Sequence, residues 1–157
     1  MERTLGFSTG ALAFGDFRRA LDMLRSRSIR AVELSALRQP ELGPLSEAIG
    51  ELDLSSFTYV AVHAPSSIAR GTEQQVVNLL WKLALNGWPI VVHPDAIHDF
   101  ALWREFGDIL CVENMDKRKP IGRTADELAI IFDKLPDASL CFDLGHARQV
   151  DATMTEA

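Results

Sequence analysis

One design recurs along this chain: a small or medium residue, a bulky apolar residue, then a residue able to bind a cation or move a proton. It is read in Ala31-Val32-Glu33, Ala61-Val62-His63, Val91-Val92-His93, Cys111-Val112-Glu113 and Cys141-Phe142-Asp143, with His146 three residues beyond the last. His63, His93, Glu113, Asp143 and His146 together offer imidazole nitrogens and carboxylate oxygens. Such a mixed donor set suits Zn²⁺, Mn²⁺ or Co²⁺, whereas an all-oxygen set would point to Mg²⁺ or Ca²⁺. Glu113 is the best placed of the five to bridge or bind centrally. Asn114 then holds a substrate or orients the carboxylate from behind. Asp143 and His146 are close enough in sequence to serve one cluster or to hold different ions. Glu33 either pairs with Arg38 or contacts substrate. A lone histidine at a strand end is more often structural, but two at matched ends argue for a shared role. His98 and the basic run Lys117-Arg118-Lys119 are read as solvated surface.

The elements that must position these residues alternate. Apolar runs at 4–7, 29–34, 59–62, 89–92, 109–113 and 139–142 read as six strands. Between them, Asp16 caps a helix carrying Phe17, Leu21 and Leu24 at helical spacing. Residues 39–44, with two prolines and a glycine, read as a loop before a helix over 45–52. Thr72 with Gln75, and Thr124 with Glu127, read as capping boxes opening two more helices. A short helix is expected around 100–106, and Asp151 reads as the cap of another. From Glu33 to His63 to His93 the step is 30 residues each time, the length of a strand–helix–strand unit. Near-continuous apolar strands separated by amphipathic helices imply a parallel sheet covered by helices.

Residues two apart in a strand share a side. Glu33, His63, His93, Glu113 and Asp143 therefore share one with Ala31, Ala61, Val91, Cys111 and Cys141, while Val32, Val62, Val92, Val112 and Phe142 take the other. Small residues on the functional side and bulky ones opposite suit a closed barrel, whose interior is narrow. An open doubly wound sheet would not aim five polar strand ends at one point, and a glycine-rich dinucleotide loop is missing after the first strand. The expected fold class is α/β, a TIM-barrel-like parallel (βα) repeat forming one domain over residues 1–157. Eight such units take about 250 residues. Six strands therefore imply an incomplete barrel: a fragment of a longer protein, or a chain whose open edge a second copy covers.

The net charge of −6 argues against a broad basic face for nucleic acid. No apolar run approaches the roughly 18 residues needed to span a bilayer, and the N-terminus lacks a signal-peptide layout, so a cytoplasmic location without membrane attachment is expected. Cys111 and Cys141, inside apolar runs, read as buried reduced thiols.

The ordered motifs Val62-His63-Ala64-Pro65, Val92-His93-Pro94, Val112-Glu113-Asn114 and Asp143-Leu144-Gly145-His146-Ala147 resemble the xylose-isomerase-like TIM barrel superfamily. It holds sugar and sugar-phosphate isomerases and epimerases, and the family-2 apurinic/apyrimidinic endonucleases. The endonuclease pattern implies that His63, His93, Glu113, Asp143 and His146 are metal ligands. The epimerase pattern implies Glu113 and Asp143 as ligands, Glu113 also near the proton transfer, and His63 and His93 touching substrate. Both patterns imply further ligands from strands beyond the sixth. The expected function is isomerisation or epimerisation of a small sugar or sugar phosphate through a metal-stabilised enediolate, with Glu113 catalytic and Glu33, His63 and Asn114 binding substrate. Hydrolysis of a phosphodiester at abasic DNA is the alternative; the acidic charge, the short loops after the third and fourth strands and the want of an aromatic-basic surface weigh against it. A third reading, from another class, is a non-catalytic truncated barrel acting as an oligomerising or binding module.

Overall fold

The computed structural model describes residues 4–154. Six strands form one all-parallel sheet in the order β1-β2-β3-β4-β5-β6. They are β1 Gly6–Ser8, β2 Ala31–Ser35, β3 Tyr59–His63, β4 Ile90–Val92, β5 Leu110–Glu113 and β6 Ser139–Cys141. Among the described residues six α-helices lie between the strands and a seventh follows β6: α1 Thr9–Ala13, α2 Phe17–Leu24, α3 Gln39–Ala48, α4 Glu73–Ala84, α5 Phe100–Arg104, α6 Ala125–Phe132 and α7 Leu144–Val150. Parallel neighbours need crossover connections, and helices supply them. The alternation read from the sequence is therefore present.

One sheet face carries Val32, Leu34, Val62, Val92 and Val112, which are buried in a core with Leu21, Leu42, Leu80 and Leu83 of the helices. The opposite face carries Ala31, Glu33, Ala61, Val91, Cys111 and Cys141. A cavity of about 300 Å³ touches this second face from Gly6 and Ser8 on β1 to Cys141 on β6. In a flat sheet, strands about 4.8 Å apart would hold these two edges more than 20 Å from each other. One small cavity touching both means that the sheet curls, concave on the small-residue side. At the β1–β2 pair the backbones nearly touch: a Cβ on Gly6 would lie 2.6 Å from the Ala31 Cβ, so glycine alone fits there.

The register is staggered. Ser35 lies level with His63, and His63 with Val91. Val92 pairs with Val112, and Glu113 with Cys141. His93 thus stands two residues above the partner of His63, Glu113 stands level with His93, and Asp143 stands two residues above the partner of Glu113. From His63 to Asp143 the chemistry-bearing positions climb four residues over the three steps from β3 to β6. Glu33 pairs with Ala61, a layer below His63, so it is not the equivalent of His63 on its strand.

Several local expectations are corrected. Residues 39–44 are the first half of α3, not a loop. Pro40 sits in the first turn, where no N–H is needed, and Glu41 accepts a hydrogen bond from the Arg38 N–H at 3.1 Å. Only Pro44 costs a helical bond, against the full burial of Leu42 and Leu45. Thr72 precedes α4 without capping it: its hydroxyl donates to the Ala69 carbonyl at 2.8 Å and accepts from Gln39 at 2.9 Å. Thr124 does cap α6, but Glu127 reaches back to the Arg123 N–H at 2.8 Å, one residue further than a capping box requires. Asp151 ends α7 rather than opening a helix, and residues 155–157 lie outside the described residues. Phe142 is 47% exposed, on the wall of a groove between β6 and α6 rather than sealed beneath the helix. Cys111 and Cys141 are free thiols only half-buried, because they lie on the concave face rather than under the helices, and Cys141 lines the cavity there.

Candidate metal centre

The C-terminal ends of β3, β4 and β5 bring His63, His93 and Glu113 together, and α7 adds Asp143 and His146. Each of the first three ends an apolar strand whose preceding valine is locked in the core, so its side chain leaves the sheet on the concave side. Burial follows: Glu113 is 7% exposed, His63 6% and His93 8%. Glu113 Oε2 lies 3.0 Å from His63 Nε2 and 3.2 Å from His93 Nε2; its other oxygen, Oε1, lies 3.3 Å from His146 Nδ1. Three imidazoles thus converge on one carboxylate, two on one oxygen and one on the other.

The hydrogen-bond arithmetic at His63 is informative. Its Nδ1 lies 2.6 Å from the Ala64 carbonyl oxygen, which can only accept, so Nδ1 carries a proton. In a neutral ring Nε2 then presents a lone pair to a carboxylate oxygen, acceptor against acceptor. Only a second proton or a cation resolves that contact. With protons alone, Glu113 keeps the His63 imidazolium pK raised even though burial pulls it down. Burial likewise pushes Glu113 up, but the hydrogen bonds and charges of His63 and His93 outweigh it and hold its carboxyl at about 2. His93 Nδ1 is buried without a hydrogen-bond partner.

Two groups of ligand-type atoms come within 4.8 Å of one another among the described residues: His63, His93 and Glu113, and Glu113, Asp143 and His146. Glu113 is common to both. A buried His/His/Glu group of this kind can hold a metal ion. The second group is more open, with Asp143 and His146 partly exposed. Asp143 caps α7 through the His146 N–H at 2.7 Å, so the first turn of that helix delivers His146.

Comparison with known proteins finds no match: no protein-family model, no curated protein and no solved structure.

The remaining residues read from the sequence fall around this cluster. Asn114 lies beside it, buried, with its side-chain amide on the Asp143 backbone. Glu33 does not pair with Arg38, which engages Glu41. Instead Ser8 donates to Ser35, which donates to Glu33 Oε1 at 3.1 Å, leaving Glu33 on the wall of the concave cavity. The basic run is not wholly solvated: Lys119 reaches Asp95 at 2.8 Å, and Arg118 forks onto Asp116. That guanidinium holds the Asp116 carboxyl well below the usual range. Asp116, buried two residues beyond Asn114, went unread in the sequence; its place just past a strand end was the available signal. Glu73 was also passed over. Buried at the start of α4, it accepts from the His98 and Asp99 N–H groups and from Trp103 Nε1 at 2.8–2.9 Å, tying the β4–α5 loop to the helix layer.

Proposed function

We propose that this chain is the metal-binding part of a sugar or sugar-phosphate isomerase or epimerase built on an eight-unit parallel barrel. The observation that carries the reading is the carboxylate of Glu113 ringed by His63, His93 and His146 at 3.0–3.3 Å, at the carboxyl ends of parallel strands. Sites of (βα) barrels stand at that end. The stagger of four residues over the three steps from β3 to β6 runs in one direction, as the sheared register of a closed (βα) barrel requires. It lifts His93, Glu113 and Asp143 to a common level despite the tilt of their strands. The ordered motifs that resemble the xylose-isomerase-like superfamily point the same way.

In this reading His63, His93 and Glu113 hold one divalent ion, and Glu113, Asp143 and His146 hold another. A bound ion would supply Lewis-acid stabilisation of negative charge on adjacent substrate oxygens. The rest belongs to the chain. Glu113, ionised far below neutrality, is available as an acceptor across the physiological range. Glu33, on the wall of the concave cavity, contacts a substrate hydroxyl. Ser8 and Ser35 fix its orientation. Either the remaining units of the barrel or a second copy of the chain covers the open edges of the sheet.

Solvent exchange tests the proposal directly. Protein loaded with Zn²⁺, Mn²⁺ or Co²⁺ is incubated in D₂O with a panel of small ketoses, aldoses and their phosphates. Deuterium entering the carbon next to the carbonyl, and failing to enter with Glu113→Gln, is the expected result. No incorporation from any substrate by metal-loaded protein removes the isomerase reading. Nicking of abasic DNA by the same preparation would place the chemistry with phosphodiester hydrolysis instead.

A further inference from the structure

The side chain of Asn114 makes a contact normally made by backbone. Its Oδ1 accepts from the Asp143 N–H at 2.6 Å, and its Nδ2 donates to the Asp143 carbonyl at 3.0 Å. Both bonds go to one residue on the neighbouring chain segment, and the first takes the place that a strand carbonyl would hold in the parallel ladder. The ladder between β5 and β6 reaches only to Glu113 and Cys141, with the Asn114 N–H bonded to the Cys141 carbonyl at 3.3 Å. The amide of Asn114 therefore extends strand pairing past the end of the strand. It does so at the residue that supplies one candidate ligand, Asp143, and caps the helix that carries another, His146. The Asn114 main chain adds a third constraint, since its carbonyl oxygen lies 2.9 Å from His146 Nδ1.

With its amide oxygen and nitrogen both turned to the Asp143 backbone and only 3% of the residue exposed, the Asn114 side chain faces the chain rather than a substrate. We infer that Asn114 is a positioning residue for one half of the centre: it sets Asp143 and His146 against Glu113 and leaves His63 and His93 untouched. The latter two are placed by β3 and β4, and His63 is held by the Ala64 carbonyl, none of which Asn114 contacts through its side chain. Glu113, the shared residue, stays tied to both groups. This inference rests on the two-ion reading above, and it replaces the substrate-binding role expected of Asn114 from sequence.

Loss of a partner that orients a ligand from behind costs about 10–100-fold in metal affinity. Calorimetric titration of the protein with Zn²⁺ alone, backed by elemental analysis, is expected to show two ions on the unaltered chain. In Asn114→Ala the second, weaker ion should loosen about tenfold or more while the first keeps its affinity. In His63→Ala the first is lost. Asn114→Asp keeps the acceptor for the Asp143 N–H but sets an oxygen against the Asp143 carbonyl. Its added charge would by itself favour a cation, so a loosened second ion in this variant reports geometry; it decides the matter alone if Asn114→Ala does not fold. Two ions bound by both Asn114 variants as tightly as by the unaltered chain overturn the inference. Equal weakening of both ions overturns it too, since that would mark a general support of the fold. An unaltered chain that takes up no ion defeats the underlying two-ion reading instead.

Discussion

Glu113 is the residue on which the centre turns, and its electrostatics can be tested without any ligand. Burial alone would lower the pK of His63; Glu113, with smaller help from Glu33 and the Ala64 carbonyl, reverses that. In metal-free Glu113→Gln the burial remains and the nearest carboxylate does not, so the His63 pK should fall, read by NMR titration of the imidazole. A value unchanged from that of the unaltered chain would mean that Glu33 and the Ala64 carbonyl suffice to hold it up. The same pair sets a pH window. His63, with its pK raised on folding, stabilises the fold fully below 6.5 and loses that contribution as pH rises through its folded value. Glu113, lowered on folding, contributes above its ordinary 4.5 and loses the contribution as pH falls towards about 2. The cluster in chelated protein should therefore contribute most between pH 4.5 and 6.5. Ligands must shed protons to take a cation, so added Zn²⁺ should raise the melting temperature more at pH 8 than at pH 5. An equal gain at both would deny that cation and proton compete for these atoms.

At the scale of elements, the carboxyl-end loops are held by polar staples that periodicity does not reveal. Glu73 is the chief one. Three N–H groups from the segment around α5 end on its carboxylate, and one of them belongs to the fully buried Trp103. Glu73→Ala strands those donors, each worth about 1–3 kcal/mol when left unsatisfied in the interior. A loss of about 3 kcal/mol or more in urea unfolding is expected from that figure, with Glu73→Gln recovering part of it through its remaining acceptor oxygen. A change within the scatter of ordinary surface substitutions would show that water replaces the carboxylate. The helices themselves were legible where apolar spacing and caps agreed, as in α2 with Asp16, Phe17, Leu21 and Leu24. The start of α3 was not, because Pro40 and Pro44 read as breakers although a first turn tolerates proline. The seven residues of α7 are too few to display a period, and Gly145 within it reads as a turn.

The whole molecule has one covered face and two apolar edges. Leu140, Phe142 and Leu144 are exposed beside β6 and α7, and Leu5, Phe7 and Phe14 beside β1. A groove of about 280 Å³ runs between α6 and β6, lined by Leu128, Phe132, Leu140 and Phe142. Unpaired strand edges flanked by apolar surface favour association. Sedimentation at tens of micromolar, a concentration range of about 10⁻⁵ M where weak interfaces form, should find species heavier than the 17.4 kDa chain. The double substitution Leu140→Asp, Phe142→Asp should return the chain to monomer without unfolding it. A monomer before substitution would refute association through this edge. Among the described residues no helix is long and apolar enough to cross a membrane.

Sequence alone determined the alternation of strand and helix and the side of β2, β3, β4 and β5 that meets the helices, because burial imposes periods of two and 3.6 that survive as patterns of residue type. It also picked out His63, His93, Glu113, Asp143 and His146, since ionisable residues at the ends of apolar runs stand out against their neighbours. Register was decided only in three dimensions. Equal spacing of 30 residues suggested that Glu33 and His63 are equivalent, yet Ser35 is the partner of His63, because pairing follows strand tilt and crossover geometry rather than residue count. The direction of polar groups was likewise a tertiary matter. Nothing in Glu113-Asn114 states that one side chain meets three imidazoles while the next turns to the backbone of Asp143. Hydrogen bonds between residues some thirty to fifty positions apart exist only once the sheet has curled and brought its strand ends together.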